Sequence, residues 1–118
     1  MSSSWYLLVV YYAAVVRATG VRRRLSVMDD TSIRTAVAAW FSDASAAEAT
    51  YGHISTWNTG GVTDMESLFC ASSTYCGSTA ASKASFNDDI SAWDTTGVTT
   101  MAYMFMEASS FNQPLNGW

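Results

Sequence analysis

Apolar residues return along this chain at more than one rhythm, and each rhythm predicts a different element. In "DDTSIRTAVAAWFSD", Ile33, Val37, Trp40 and Phe41 fall three or four residues apart, which is one face of a helix. Asp30, Thr31 or Ser32 is placed to cap its start, and Asp43 begins the turn after it. In "SAAEATYG", Ser45 and Glu48 have the form of a capping box, and Gly52 is placed to end the segment in the left-handed conformation. Residues 31–52 are therefore predicted as two short helices. Further on, Val62, Met65, Leu68 and Phe69 keep the same interval, and so do Val98, Met101, Met104, Phe105 and Ala108, with Thr99 as a cap. Each set predicts a short amphipathic helix with a methionine-rich inner face. Between them, "DISAW" and "PLNGW" are too short for helices and read as strand-like rungs.

These later segments are two versions of one sentence. "ISTWNTGGVTDMESLF" begins at Ile54 and "ISAWDTTGVTTMAYMF" at Ile90, with 9 of 16 positions identical. Trp57, Trp93 and Trp118 mark the period. The step is 25 residues from Trp93 to Trp118 and 36 from Trp57 to Trp93, and the excess falls between Phe69 and Phe86. A unit of this size cannot cover its own apolar side, so successive copies are expected to cover one another, with the extra residues bulging outward. The expected shared core is Trp57, Val62, Met65, Leu68, Phe69, Phe86, Ile90, Trp93, Val98, Met101, Met104, Phe105, Phe111, Leu115 and Trp118. Asn87 and Asn112, each following a phenylalanine, are expected to hydrogen-bond the adjacent turn as a ladder.

Length and charge narrow the function. At 118 residues and 49% hydrophobic content, the chain has room for one domain with a modest core. Its net charge of −4 conceals an asymmetry: Arg17, Arg22, Arg23 and Arg24 precede Leu25, after which ten acids face only Arg34 and Lys83. Such a body repels a phosphate backbone, so no nucleic-acid partner is expected. Residues 1–24 form an apolar, then basic, N-terminal segment. The apolar block from Trp5 to Val16 would reach about 18 Å as a helix, short of a bilayer's ~30 Å core. It reads as a secretory signal peptide or signal-like anchor, against which stand a buried structural segment and a start at Met28. A membrane partner is expected only through this segment, if it is retained. Cys70 and Cys76 lie in a Ser/Thr/Ala-rich insertion at about 70–83. They suit a small disulfide loop in a secreted chain and free thiols otherwise; two thiols alone make a poor zinc site.

The pattern W-[DN]-T-x-x-V-T-x-M-x-x-[ML]-F, followed by A-S-x-F-N-x-x-[IL]-x-x-W, resembles the BspA-like repeat of the DUF285 family, found in mycoplasma, bacterial and microalgal surface proteins. The resemblance covers roughly Ile33 to Trp118. It implies an α/β repeat fold, a short right-handed solenoid of about 25-residue units, each a short strand-like rung plus a short helix. Residues 25–52 would form a helical N-terminal cap and 53–118 the repeats. The family implies secretion or a cell-surface location and protein-binding or adhesive roles, with no catalysis and no cofactor.

Individual residues add little chemistry. Asp88, Asp89 and Asp94 could supply oxygen ligands to calcium, but their spacing matches no standard loop. His53 has no nucleophile at a recognisable motif spacing, and Gly60-Gly61 lacks the Lys-Ser/Thr of a phosphate loop. Met65, Met101, Met104 and Met106 could form an adaptable groove, although spacing puts the first three in the core. The expected function is a non-enzymatic repeat module for protein or glycan contact at the cell surface. Its alternatives are a truncated structural fragment of a longer array without independent activity, stacking on further repeats or another chain, and a hydrolase using the acids.

Overall fold

Asp29 starts the first helix. Its carboxylate accepts the N–H groups of Thr31 and Ser32 at 3.0 and 2.7 Å, while the Ser32 hydroxyl accepts the Asp29 N–H at 2.8 Å. That reciprocal pairing satisfies donors a helix end leaves over. In the computed structural model, which describes residues 26–118, it launches α1, Asp30–Ser42, whose inner face buries Ile33, Ala36, Val37 and Trp40. Asp43 then ends α1 through its N–H to Ala39 and caps α2, Ala44–Tyr51, by accepting the Ala46 N–H at 3.2 Å. The caps are thus Asp29 and Asp43, in place of Asp30, Thr31 or Ser32 and of a Ser45–Glu48 box. Gly52 closes α2 at φ 82°. The segment 1–24, read above as signal, anchor or buried element, lies outside the described residues.

The α/β solenoid expectation is overturned. Among the described residues there is no strand and no sheet, only an isolated parallel bridge between Asp64 and Thr100. Both α-helices lie within residues 30–51, and the remaining helical pieces are 3-10 turns at Ile54–Thr56 and Ala80–Ser85. Where amphipathic helices were expected, the chain makes successive tight turns. Leu68 N–H reaches Met65 O and Cys70 N–H reaches Ser67 O; Met104 N–H reaches Met101 O and Met106 N–H reaches Tyr103 O. A three-residue turn repeats its apolar positions almost as a helix does, so spacing alone misleads. The backbone separates them: Ser67 and Tyr103, equivalent in the two copies, sit at φ 57° and 59°, which no continuing right-handed helix permits.

Left-handed Ser67 and Tyr103 turn alternate N–H groups outward, and the copies use them to pair. Met65, Ser67, Phe69 and Ala71 donate to the carbonyls of Thr100, Ala102, Met104 and Met106 at 2.8–3.0 Å. Thr99 donates back to Thr63 O at 2.7 Å. Beside this ladder the Thr59 hydroxyl, fully buried, donates to Asp94 O, and the Trp93 indole donates to Ile54 O at 2.8 Å. Rings stack in step: Trp57 on Trp93 at 6.0 Å, Phe69 on Phe105 and Phe86 on Phe111, both at 5.7 Å. Each such pair adds about 0.5–1.5 kcal/mol beyond its area. Cap residues close these columns edge-on, Trp40 against Trp57 and Phe41 against Phe69 and Phe86.

The rungs approach so closely that one glycine position has no room for a side chain. A Cβ on Gly61 would stand 2.6 Å from the Met28 carbonyl oxygen. Met28 is fixed there because its own N–H donates to Asn58 O at 2.8 Å. The equivalent Gly97 has 3.5 Å to the Val62 oxygen, an ordinary contact. Gly61→Ala should therefore cost about 1–3 kcal/mol of unfolding free energy, and Gly97→Ala well under that, in urea titrations run side by side. Equal losses would mean that closeness to the cap backbone is not what selects glycine at 61.

Candidate contact surface

The two faces of the repeat pair are finished differently. On the starting face, side chains stand in for a preceding copy. The second copy's Thr100, Ala102 and Met104 carbonyls accept backbone N–H groups; the matching carbonyls of the first copy accept cations instead. Arg34 Nη2 donates to Asp64 O and Glu66 O at 3.5 and 3.0 Å, and Lys83 Nζ donates to Leu68 O at 3.2 Å. Asp30 imitates the acceptor: its carboxylate takes the Thr63 N–H and hydroxyl and the Asp64 N–H at 2.7, 2.6 and 3.1 Å. Trp57, lacking a preceding isoleucine, donates to Gly52 O at 2.9 Å. Arg34 also pairs with the Asp64 carboxylate at 3.2 Å, an exposed contact of small energetic weight.

The opposite face has no such substitutes among the described residues. The N–H groups of Met101, Tyr103 and Phe105 correspond to the donors Met65, Ser67 and Phe69, yet find no acceptor among the described residues; Glu107, at φ 57°, departs from Ala71 in backbone conformation. The Thr95 hydroxyl, equivalent to Thr59, finds none either. Asn87 does act across the copies, its Oδ1 accepting the Asn112 N–H at 2.7 Å. Asn112, its counterpart, has no partner for its own side chain among the described residues.

Burial follows the same division. Trp57, Val62, Met65, Leu68, Phe69, Phe86, Ile90, Trp93 and Met104 are buried. Val98, Phe105, Phe111, Leu115 and Trp118 are only partly covered. Met101, placed in the core by its spacing, is 37% exposed where its equivalent Met65 is fully buried. The expected core is thus split, its later half lying on an open end face. Tyr103, 62% exposed, completes that face; the apolar rhythm passed over it because its equivalent is Ser67.

Beside the end face, Cys70 and Cys76 are joined in a disulfide. The bridge holds the loop carrying Tyr75, which overhangs an open cleft of about 460 Å³ with Tyr103, Met106 and Glu66. A second depression, about 610 Å³, is lined by Phe41, Ser42, Thr79, Ser82 and Lys83. There burial holds the Lys83 ammonium below its ordinary pKa, and Lys83 lies over the Phe41 ring at 5.7 Å. The insertion therefore supplies a cation to the starting face, a part the sequence reading did not assign. Lys83 and Arg34 could have been singled out as the only basic residues after Arg24.

The remaining polar candidates serve local turns. Asp88 accepts the Trp40 indole N–H at 3.1 Å, Asp89 binds Ser91, and Asp94 binds Thr96. No group of three metal-ligating side chains converges among the described residues. His53 does meet a serine, the Ser55 hydroxyl at 2.8 Å, but the same Nδ1 accepts the Ser55 backbone N–H and the ring leans edge-on to Trp40. That is a turn-stabilising contact. No helix among the described residues is long and apolar enough to cross a membrane.

Asp30 gives the starting face a pH dependence. Hydrogen bonds from the Thr63 hydroxyl, then from the Thr63 and Asp64 N–H groups, hold its carboxyl below the ordinary 3.8. A folded-state pKa below the unfolded one contributes stability that is fully present above the unfolded value near 3.8 and is lost as pH falls through the lower folded-state value. Asp30→Asn should lower stability at pH 7 and flatten the decline between pH 5 and pH 2, measured as urea midpoints. Asp29, Asp89 and Asp94, also held low by local hydrogen bonds, leave a residual slope. Coincident acid limbs for both proteins would remove Asp30 from this role.

The family model described as "Mycoplasma protein of unknown function, DUF285" matches residues 35–118. No curated protein and no solved structure matches the chain. The family match takes in α2, both copies, the bridged loop and the whole open face, well over half of the sequence, and the chain belongs to the DUF285 family.

Proposed function

We propose that the chain is a non-enzymatic contact module that binds a protein partner through its open end face, outside the cell. The observation that carries this reading is the contrast between equivalent positions. Met65 is fully buried and Met101 is 37% exposed, and Phe69, Phe86, Ile90 and Trp93 are buried where Phe105, Phe111, Leu115 and Trp118 are half-covered. Among the described residues, the first copy's set is covered by the second copy and the second copy's set is only partly covered. A contiguous apolar patch with a polar rim marks an interaction site. Aromatic rings and methionine are the side chains that interfaces favour at their centres. The disulfide supports an extracellular setting, since such bonds persist where the environment is oxidising. Among the described residues, Asp88, Asp89 and Asp94 are each held in local contacts with Trp40, Ser91 and Thr96.

An array of extracellular proteins and glycans probed with the full chain tests the reading. Protein binders are expected whose signal falls at least tenfold with Met101→Glu and is unchanged with Glu48→Gln, an exposed position on α2. Binding indifferent to Met101→Glu would move the site elsewhere. A glycan-only signal abolished by Tyr75→Ala would replace the end face with the cleft beside the disulfide. Turnover of a hydrolase substrate panel that Asp88→Asn removes would make the chain an enzyme.

A further inference from the structure

We infer that the cleft beside the disulfide binds an arginine side chain, presented on an exposed segment of a partner protein; this site is a different surface from the end face and stands or falls separately from it. Tyr75, at 75%, and Tyr103, at 62%, are the two most exposed large hydrophobic side chains among the described residues, and both line this one cleft of about 460 Å³. They reach it from distant parts of the chain, Tyr75 from the bridged loop and Tyr103 from the second copy, and Glu66 and Ser67 of the first copy complete it. Folding accounts for neither ring. Among the described residues no other ring touches them and neither phenol is hydrogen-bonded. Tyr103 also holds φ 59°, a conformation that disfavours a bulky side chain, and its equivalent is a serine. The cleft lies on the flank of the repeat pair: Ser67 lines it although its N–H is already paired with Ala102 O at 2.9 Å, so stacking one copy on another leaves this side open.

The backbone beneath both rings is fixed. Tyr75 precedes Cys76, whose sulfur is bonded to the fully buried Cys70, and the Cys76 N–H donates to Ser72 O at 2.9 Å within the same loop. Tyr103 sits in a turn closed by the Met106 N–H on its carbonyl at 3.1 Å, and Met106 itself lines the cleft with a polarisable thioether. A ligand therefore meets two aromatic side chains on anchored main chain, which lowers the ordering cost of binding.

The chemistry of the lining selects a guanidinium. Aromatic faces attract cations, and the Glu66 carboxylate beside them accepts no hydrogen bond and forms no ion pair among the described residues. Neighbouring Arg34 pairs instead with the Asp64 carboxylate at 3.2 Å and with the Glu66 carbonyl at 3.0 Å. The other cation after Leu25, Lys83, is bound to Leu68 O, so the ten acids leave this part of the chain negative. A lysine ammonium is strongly hydrated and gives up water poorly in an open cleft. A guanidinium is weakly hydrated, stacks on ring faces and meets a carboxylate through two parallel N–H groups. A quaternary ammonium has no N–H to offer Glu66. A saccharide needs fixed side-chain donors as well as acceptors, and no Asn, Gln, Lys or Arg side chain among the described residues lines the cleft.

The test titrates the full chain with the peptide acetyl-Gly-Gly-Arg-Gly-Gly-amide and reads the NMR shifts of the Tyr75 and Tyr103 rings. Saturable binding is expected, weakened by high salt because the charges are exposed. Replacing the arginine by uncharged citrulline should weaken it at least fivefold, and replacing it by lysine should weaken it measurably. On the chain, Glu66→Gln and Tyr75→Ala should each cost about two- to fivefold in affinity, the range of exposed ion pairs and cation–aromatic contacts. Tyr75→Phe, which keeps the ring, should bind as the parent does, and so should Glu48→Gln on α2. Tyr103→Asn is the second ring variant, since asparagine tolerates the left-handed backbone and the circular dichroism spectrum should stay unchanged; it too should cost about two- to fivefold. Absence of saturable binding to the folded chain overturns the inference, as do equal affinities for the arginine and citrulline peptides, binding that Glu66→Gln and Tyr75→Ala leave intact, or tetramethylammonium binding more tightly than the arginine peptide. A saccharide that shifts both rings and is not displaced by the arginine peptide overturns it as well. If the peptide fails while array partners depend on Met101, only this inference falls. If the peptide binds while no array partner responds to Met101→Glu, only the end-face reading falls.

Discussion

Everything in the repeat region depends on four N–H groups that leave one copy and enter the next. Without them, the turns from Met65 to Ala71 would expose backbone donors in an apolar setting, at a cost comparable to a lost hydrogen bond for each. They point outward from a turn in which Ser67 takes a left-handed conformation, which costs on the order of 1 kcal/mol for a residue with a Cβ. The copies are thus coupled: strain inside each is offset by pairing between them. Ring stacking follows from that pairing, since equivalent residues at fixed backbone distance bring Phe69 over Phe105 and Phe86 over Phe111.

A chain built this way must finish its first copy, and the cap and the insertion together do so by imitation. A guanidinium and an ammonium replace backbone donors, a carboxylate replaces a carbonyl, and Trp40 and Phe41 meet the ring columns edge-on. Cations on carbonyls and a carboxylate on N–H groups are charge-assisted contacts, roughly twice as strong as neutral ones in kind, though solvent weakens them here. Because Arg34 reaches its carbonyls on a long side chain and Lys83 comes from the insertion, α1 need not match the geometry of the repeat. That freedom explains how an ordinary amphipathic helix can terminate an array of tight turns.

How much of this was legible in the sequence depends on what each signal measures. The identity between Ile54–Phe69 and Ile90–Phe105 requires equivalent environments, and Trp57 stacked on Trp93 shows equivalent residues meeting. In α1, Ile33, Val37 and Trp40 share one buried face as their spacing requires. The same spacing failed at Val62–Phe69 because a hydrophobic interval near three does not distinguish a helix from consecutive turns; the deciding variable is φ at Ser67, a residue with no strong left-handed preference of its own. With the helices gone, the strand-like rungs lost their role too, and the α/β solenoid with them. Capping was misplaced by one or two residues because Asp29 and Asp43 compete with neighbouring polar residues for the same N–H groups. Nothing in the pattern separates Met101 from Met65, since their difference lies in whether another copy follows in space.

That last point carries the functional argument. Sequence periodicity describes which residues are equivalent; it is silent on which are covered, because cover comes from the neighbour. Val98, Met101, Phe105 and Trp118 are written as core and sit at a surface. The proposed contact surface consists of residues whose counterparts in the first copy are buried. Among the described residues, a starting face sealed with Asp30, Arg34 and Lys83 and an end face with unpaired donors give the repeat pair two unlike ends. Head-to-tail contacts between identical capped copies would propagate without closing; sealing the starting face removes that route.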